Sequence, residues 1–363
     1  MNTSKFVGSG IMLFLDQVVV AGGNWLYWVM VSLVVLPSEI GQTTTVYNLV
    51  ALLTVLIQLG LEYPILKKSS TKNSKILGTG LLLILATTLP AIPILVLLLN
   101  VVYEESFQII IISINLLIAG SLAFVSRYVL IGVSALKNVF LIDTISTVLK
   151  FLVAYVLTIN GYGVLGLLLS FSLQALFIAI ICLVLSIRLF GLSVGKMKYI
   201  KEIVREAIVN IPSKLSSLLI FFLSTVLLAP FGITNSEIGI FYMALMISYF
   251  TSAFVLSMAQ MAIPHSAASN RDLSSMSVRI GLSFTAPFIG ALIVSPSFVL
   301  SLLGTQYLAA QTTLLVLAIG IFPFSIVVNG LSKFNYSGEL KKVLLIGLIQ
   351  LSVFAAAFLF LIS

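Results

Sequence analysis

The chain has 363 residues, 60% of them apolar and only 8% charged, with a mean hydropathy of +1.21. A soluble domain is nearer 45–50% apolar and about a quarter charged, so lipid rather than water must solvate most of this surface. A net charge of +8 would suggest nucleic acid in a soluble protein, but these basic residues sit between apolar stretches, where they set membrane orientation.

A hydrocarbon core of about 30 Å needs roughly 20 helical residues per crossing. Stretches of that length recur without the alternating pattern of a membrane β-barrel, which predicts helices. The first, from Gly8 to about Leu36, is too long for a signal-peptide core and lacks a small-residue cleavage site, so it reads as a retained span. Spans are predicted at 9–35, 41–66, 77–101, 108–132, 138–160 and 163–188. After a linker come 206–230, 237–263, 277–302, 309–332 and 341–362, about eleven crossings of an all-α polytopic protein. This divides the chain into a six-helix lobe (1–188), a linker (189–205) and a five-helix lobe (206–363). The lone cysteine, Cys182, falls mid-helix and excludes a disulfide framework or a metal cluster.

Seventeen of the nineteen lysines and arginines fall on one side of these spans, from Lys5 through the Lys67–Lys75 loop, Arg127 and Lys137 to Lys341 and Lys342. The loops on the other side carry only Glu39, Glu104, Glu105 and Glu237. The basic face is therefore expected in the cytoplasm of a cell-membrane protein, with the N-terminus inside and the C-terminus outside if the spans number eleven. The linker, with Lys198 and Glu202 four residues apart, suits a short amphipathic helix on the inner leaflet or a solvated connection.

Six spans before the linker and five after it suggest duplication. Ser38-Glu39-Ile40-Gly41 recurs as Ser236-Glu237-Ile238-Gly239, displaced by 198 positions. The same displacement carries Gly132-Val133-Ser134 onto Gly330-Leu331-Ser332, and Pro64 and Pro264 agree with it within two residues. Both halves enter from the same side, so the repeats are parallel, with a cavity expected between them. The sixth span's partner would lie beyond Ser363, leaving two readings open: a natural short form or an incomplete sequence.

The run Asp16-Gln17, Gly22-Gly23-Asn24-Trp25 and Leu36-Pro37-Ser38-Glu39-Ile40-Gly41, with the later Gly304 and Tyr307-Leu308-Ala309-Ala310, resembles Wzx-type polysaccharide exporters. These lipid-linked oligosaccharide flippases belong to the multidrug/oligosaccharidyl-lipid/polysaccharide (MATE-like) superfamily. The resemblance implies two lobes around a cavity and alternating access that carries a polyprenyl-phosphate- or diphosphate-linked glycan from the inner to the outer leaflet. The chain is short for the family, and the family's last helix is expected to fall beyond Ser363.

A charge on a transmembrane helix costs roughly 2.5–3.5 kcal/mol on insertion scales, so each needs a partner or a task. Those expected in the membrane are Asp16, Glu62, Asp143, Lys150 and Lys214. Asp16 and Lys214 are one repeat displacement apart, an acid and a base at equivalent depth, each about 10–13 Å from its inner helix end at 1.5 Å per residue. Lys214 and Lys150 are candidates for holding substrate phosphate, and Asp16 for a latch to Lys214 or a site for H⁺ or Na⁺. The alternatives are that Lys214 snorkels to the interface and that Asp16 bonds to neighbouring polar groups. Asp143 and Lys150 share a helix face, as a gating pair or a structural polar stripe. Glu62 stands near the lysine-rich loop, for gating or an interfacial ion pair.

Gln17, Asn24, Asn210, Ser213, Ser216 and Ser217 either bond sugar hydroxyls in a wet cavity or cross-link helices. Trp25, Tyr27 and Trp28, midway along their span, fit a cavity better than an interfacial belt, and His265 reads as a surface residue. The expected partners are the glycan-lipid, membrane lipid and a coupling ion, without nucleic acid or cofactor. The alternatives are a cation-coupled drug exporter on the same fold and a scaffold that transports nothing. Outer loops this short and this poor in histidine and arginine argue against an enzyme.

Overall fold

The computed structural model describes residues 3–208, apart from 59, 71, 72, 104, 134 and 206, then 226 and 228–362, apart from 270, 271, 273 and 338. Asn210, Ser213, Lys214, Ser216 and Ser217 therefore lie outside the described residues, as do the side chains of Gln17 and His265.

Every regular element among the described residues is helical. In chain order α1 is Thr3–Ser32, α2 Pro37–Gln58, α3 Glu62–Ser70, α4 Ile76–Leu97, α5 Phe107–Gly132, α6 Leu136–Ile159 and α7 Gly163–Phe190. A linker helix over 197–205 leads to α8 (Asn235–Ser269), α9 (Ser274–Val294), α10 (Pro296–Ser301), α11 (Gln311–Ser337) and α12 (Leu340–Ile362). Among the described residues, six segments are long and apolar enough to cross a membrane, and the bent 274–294 helix would make a seventh.

Two expected spans are broken. The second, 41–66, is α2 followed by the short α3, with Gly60 at φ 70 where the chain turns. That left-handed backbone is open to glycine at no steric cost and ends the helix. The ninth, 277–302, divides into α9 and α10 at Ser295, where Pro296 opens a new helix.

The duplicated Ser-Glu-Ile-Gly motif has a structural reason. Glu39 Oε2 accepts a hydrogen bond from the Leu36 backbone N–H at 3.1 Å. Glu237 Oε2 accepts one from the Thr234 N–H at 3.0 Å. Each glutamate is the third residue of its helix and satisfies the donor at the cap, which places one half of a capping box at repeat-equivalent positions.

Helices α1–α7 pack mainly against one another, and α8, α9 and α11 form a second group. The two groups meet where α2 and α1 lie along α8. Trp28 packs edge-on to Tyr242 at 4.9 Å and Trp25 stacks on Phe250 at 5.5 Å.

In the linker, Glu202 bonds Lys68 of α3 at 2.5 Å, and Lys68 also stands 5.2 Å over the Tyr199 ring. Upstream, the Gly195 N–H donates to Thr79 Oγ1 at 2.9 Å and Ser193 Oγ to the Ser74 carbonyl at 2.8 Å. The linker is thus strapped onto the α3–α4 corner.

Candidate functional site

The charged residues of the first helices gather in one polar ladder between α1 and α6, with α5 alongside. Asp143 and Lys150 are seven residues apart on α6, so both face α1. At the level of Asp143, Arg127 of α5 reaches across. Its Nε and Nη2 donate to Asp143 Oδ2 at 2.9 and 2.6 Å, and Nη2 donates again to Asp16 Oδ2 at 2.8 Å.

One guanidinium therefore binds two carboxylates from two helices. Asp16 and Asp143 are buried, whereas the Arg127 side chain keeps 22% of its surface. The second oxygen of Asp16 is buried without a hydrogen-bond partner. Two formal negative charges against one positive leave the cluster one charge short of neutral.

Two turns further along α6, Lys150 is fully buried. Its ammonium donates to Asn24 Oδ1 of α1 and stands 4.7 Å over the Tyr27 ring and 5.1 Å over that of Phe171. Tyr27 is held in turn by Ser170 Oγ at 3.0 Å. A buried ammonium without a carboxylate is costly, and ring faces and an amide carbonyl offset part of that cost.

Asp16 bonds Arg127 within the first bundle, in line with the expected alternative of bonding to neighbouring polar groups, and the latch to Lys214 falls outside the described residues. Asn24 is the ligand of Lys150. Tyr27 and Trp28 are 0% and 3% exposed and belong to an aromatic core with Tyr47, Phe151 and Phe171, where burial of large rings outweighs any cavity role. Glu62 lies within hydrogen-bonding reach of the Tyr128 hydroxyl. Cys182 is buried in a small apolar cluster, as a core residue.

Arg127 is the residue that the sequence reading placed wrongly, among the loop cations. It stands five residues inside the end of α5 at Gly132, about 8 Å at 1.5 Å per residue. That continuing apolar run was the available signal.

Outside the ladder, Glu105 accepts from Gln42 Nε2 at 2.8 Å in the loop after α4. Burial raises its carboxyl above the usual range, and the Gln42 amide offsets this in part. Between α8 and α9, Asp272 accepts from the Ser274 hydroxyl and N–H and pairs with Lys333 of α11 at 3.1 Å. Those bonds hold its carboxyl down at about 2.

This helical arrangement is the MATE-like transporter fold. It is similar to an inward-facing multidrug resistance MATE family transporter of the MOP superfamily, with a TM-score of 0.61 and 14% identity over 93% of this chain and 87% of that one. A MATE protein in complex with MaD5 superposes with a TM-score of 0.65 and 16% identity, covering 94% and 85%. A MOP superfamily transporter from Pyrococcus furiosus, described as having a binding pocket of reversed polarity that suggests a different function, covers 96% and 95% with a TM-score of 0.50 and 14% identity. No family model matches the chain, and no curated protein resembles it in sequence.

Proposed function

We propose that the chain is a multi-pass transporter of the cell membrane. By alternating access between residues 1–188 and 206–363, it moves a polyprenyl-phosphate- or diphosphate-linked saccharide from the inner to the outer leaflet. The N-terminus and the lysine-rich loops lie in the cytoplasm in this reading.

The observation that carries it is the engagement of both Asp16 and Asp143 by Arg127. An exporter of cationic drugs needs acids free to receive its cargo, whereas these two already hold a tethered cation. Two turns away, Lys150 is a buried cation with no carboxylate partner among the described residues, and a phosphate-bearing lipid would supply the negative charge it lacks. Lys214, displaced from Asp16 by the repeat interval of 198 positions, would add a second. Polarity has been taken to separate functions on this fold in the Pyrococcus furiosus relative.

A second reading, an exporter driven by H⁺ or Na⁺, is favoured by the unpaired oxygen of Asp16 and the uncompensated charge of the cluster. The two are compatible where the aspartates couple an ion to a glycan-lipid cargo. Deleting the gene and assaying surface glycan, inner-leaflet glycan-lipid and drug sensitivity separates them. Loss of glycan with accumulation of the precursor supports the first reading, and drug sensitivity with normal glycan replaces it by the second.

A further inference from the structure

Gly41 and Gly239 occupy the same position in the two copies of the Ser-Glu-Ile-Gly motif, and in the structure they meet. A Cβ on Gly41 would overlap the Asn235 carbonyl oxygen and stand 2.6 Å from its carbon and 2.8 Å from the Gly239 nitrogen. A Cβ on Gly239 would overlap the Pro37 carbonyl oxygen and stand 2.8 Å from its carbon and 2.9 Å from the Gly41 nitrogen. The contact is reciprocal: each glycine lies against the first residue of the other's helix. A self-complementary contact of this kind forms where a twofold relation passes through it, so the crossing marks the axis relating the two repeats.

We infer that this crossing of α2 and α8 is the gate that closes the Pro37/Asn235 end of the transport path and opens when the two halves rock apart. Three further observations support it. The neighbours Ile40 and Ile238 are fully buried, so the crossing excludes water. The two capping glutamates hold their helix starts in matching geometry, so the contacting carbonyls are presented by stiff first turns. Thr45, one turn on from Gly41 along the face that meets α8, has a buried hydroxyl with no partner. An orphaned buried hydroxyl raises the free energy of the closed state, and opening restores it to water. The gate is thus shut by backbone fit alone, which only glycine at both positions allows, and it carries a built-in bias toward release.

The inference rests on the transport reading but is tested apart from it. Spin labels on Leu36→Cys and Asn235→Cys, both exposed positions, report the separation of the two helix starts, with Cys182→Ala as background. In nanodiscs the parent is expected to show a short-distance and a longer-distance population. Gly41→Ala and Gly239→Ala should each deplete the short one by on the order of tenfold, since a methyl forced against backbone has no flexible neighbour to displace. Gly290→Ala, with nothing within 4 Å, should leave the ratio unchanged.

Short distances retained in either crossing variant would overturn the inference. Should a variant fail to fold, the parent decides: one short distance in detergent, in nanodiscs and with a polyprenyl diphosphate added would also overturn it. A seam that opens in a protein that flips no glycan-lipid keeps the gate and removes the cargo. A seam that stays shut in a protein that does flip it removes the gate alone.

Discussion

Arg127 Nη2 lies 2.8 Å from Asp16 Oδ2, a bond that ties α5 to a residue 111 positions earlier on α1. Because the same nitrogen also serves Asp143, three helices of the first bundle converge on one guanidinium. Removing it strands two buried carboxylates facing each other.

Arg127→Ala should therefore destabilise the protein by about 3–5 kcal/mol, the range for breaking a buried pair. Adding Asp16→Asn and Asp143→Asn should recover most of that loss, because the repulsion disappears with the charges. Thermal unfolding in detergent measures both. A triple variant no more stable than Arg127→Ala alone would mean the guanidinium acts through packing rather than charge.

Lys150 makes the opposite case. Its ammonium has an amide carbonyl and two ring faces but, among the described residues, no carboxylate, so Lys150→Met should leave stability unchanged or raise it. Under the proposed function the same variant should lower glycan-lipid flipping at least tenfold. Unchanged flipping with raised stability would remove Lys150 from the mechanism.

Glu105 gives a pH dependence. Its carboxyl is raised by burial, so the folded state favours the neutral form. The penalty is absent well below the ordinary value of 4.5 and grows as pH rises through the raised folded-state value. Glu105→Gln, which keeps an acceptor for Gln42, should melt higher than the parent at pH 8 and equally at pH 4. A variant that melts lower at pH 8 would show that the charge itself is needed.

Asp272 has the reverse sign. With its carboxyl lowered to about 2, its contribution is complete above the ordinary 3.8 and is lost as pH falls through about 2. The pair is largely exposed, and exposed pairs contribute only about 0–1 kcal/mol. Asp272→Asn should thus lower the melting temperature slightly at pH 6, and the difference should vanish near pH 2.

Much of the architecture was legible because each signal was local. Apolar run length located α4, α5, α6 and α7 within a few residues, and the repeated Ser-Glu-Ile-Gly pointed to a duplication, its two copies opening helices with equivalent caps. The break in the second span is not legible in the apolar run, because the turn is made at Gly60, one of many glycines in an apolar chain. Of the site, the shared face of Asp143 and Lys150 followed from helical periodicity. Their partners did not: Asn24 comes from 126 residues before Lys150 and Arg127 from 16 before Asp143 on the preceding helix, and which side chains of those helices meet α6 is set by tertiary packing.

The most direct test is reconstitution of the purified chain in liposomes carrying a fluorescent polyprenyl-diphosphate disaccharide, with arrival at the opposite leaflet followed by a quencher that cannot cross the bilayer. The account predicts quenching beyond the half accessible in protein-free vesicles, at a rate that falls in Arg127→Ala and Lys150→Met. Quenching that stays at the protein-free level in every preparation, with the protein folded and efflux of a cationic dye intact, would contradict it.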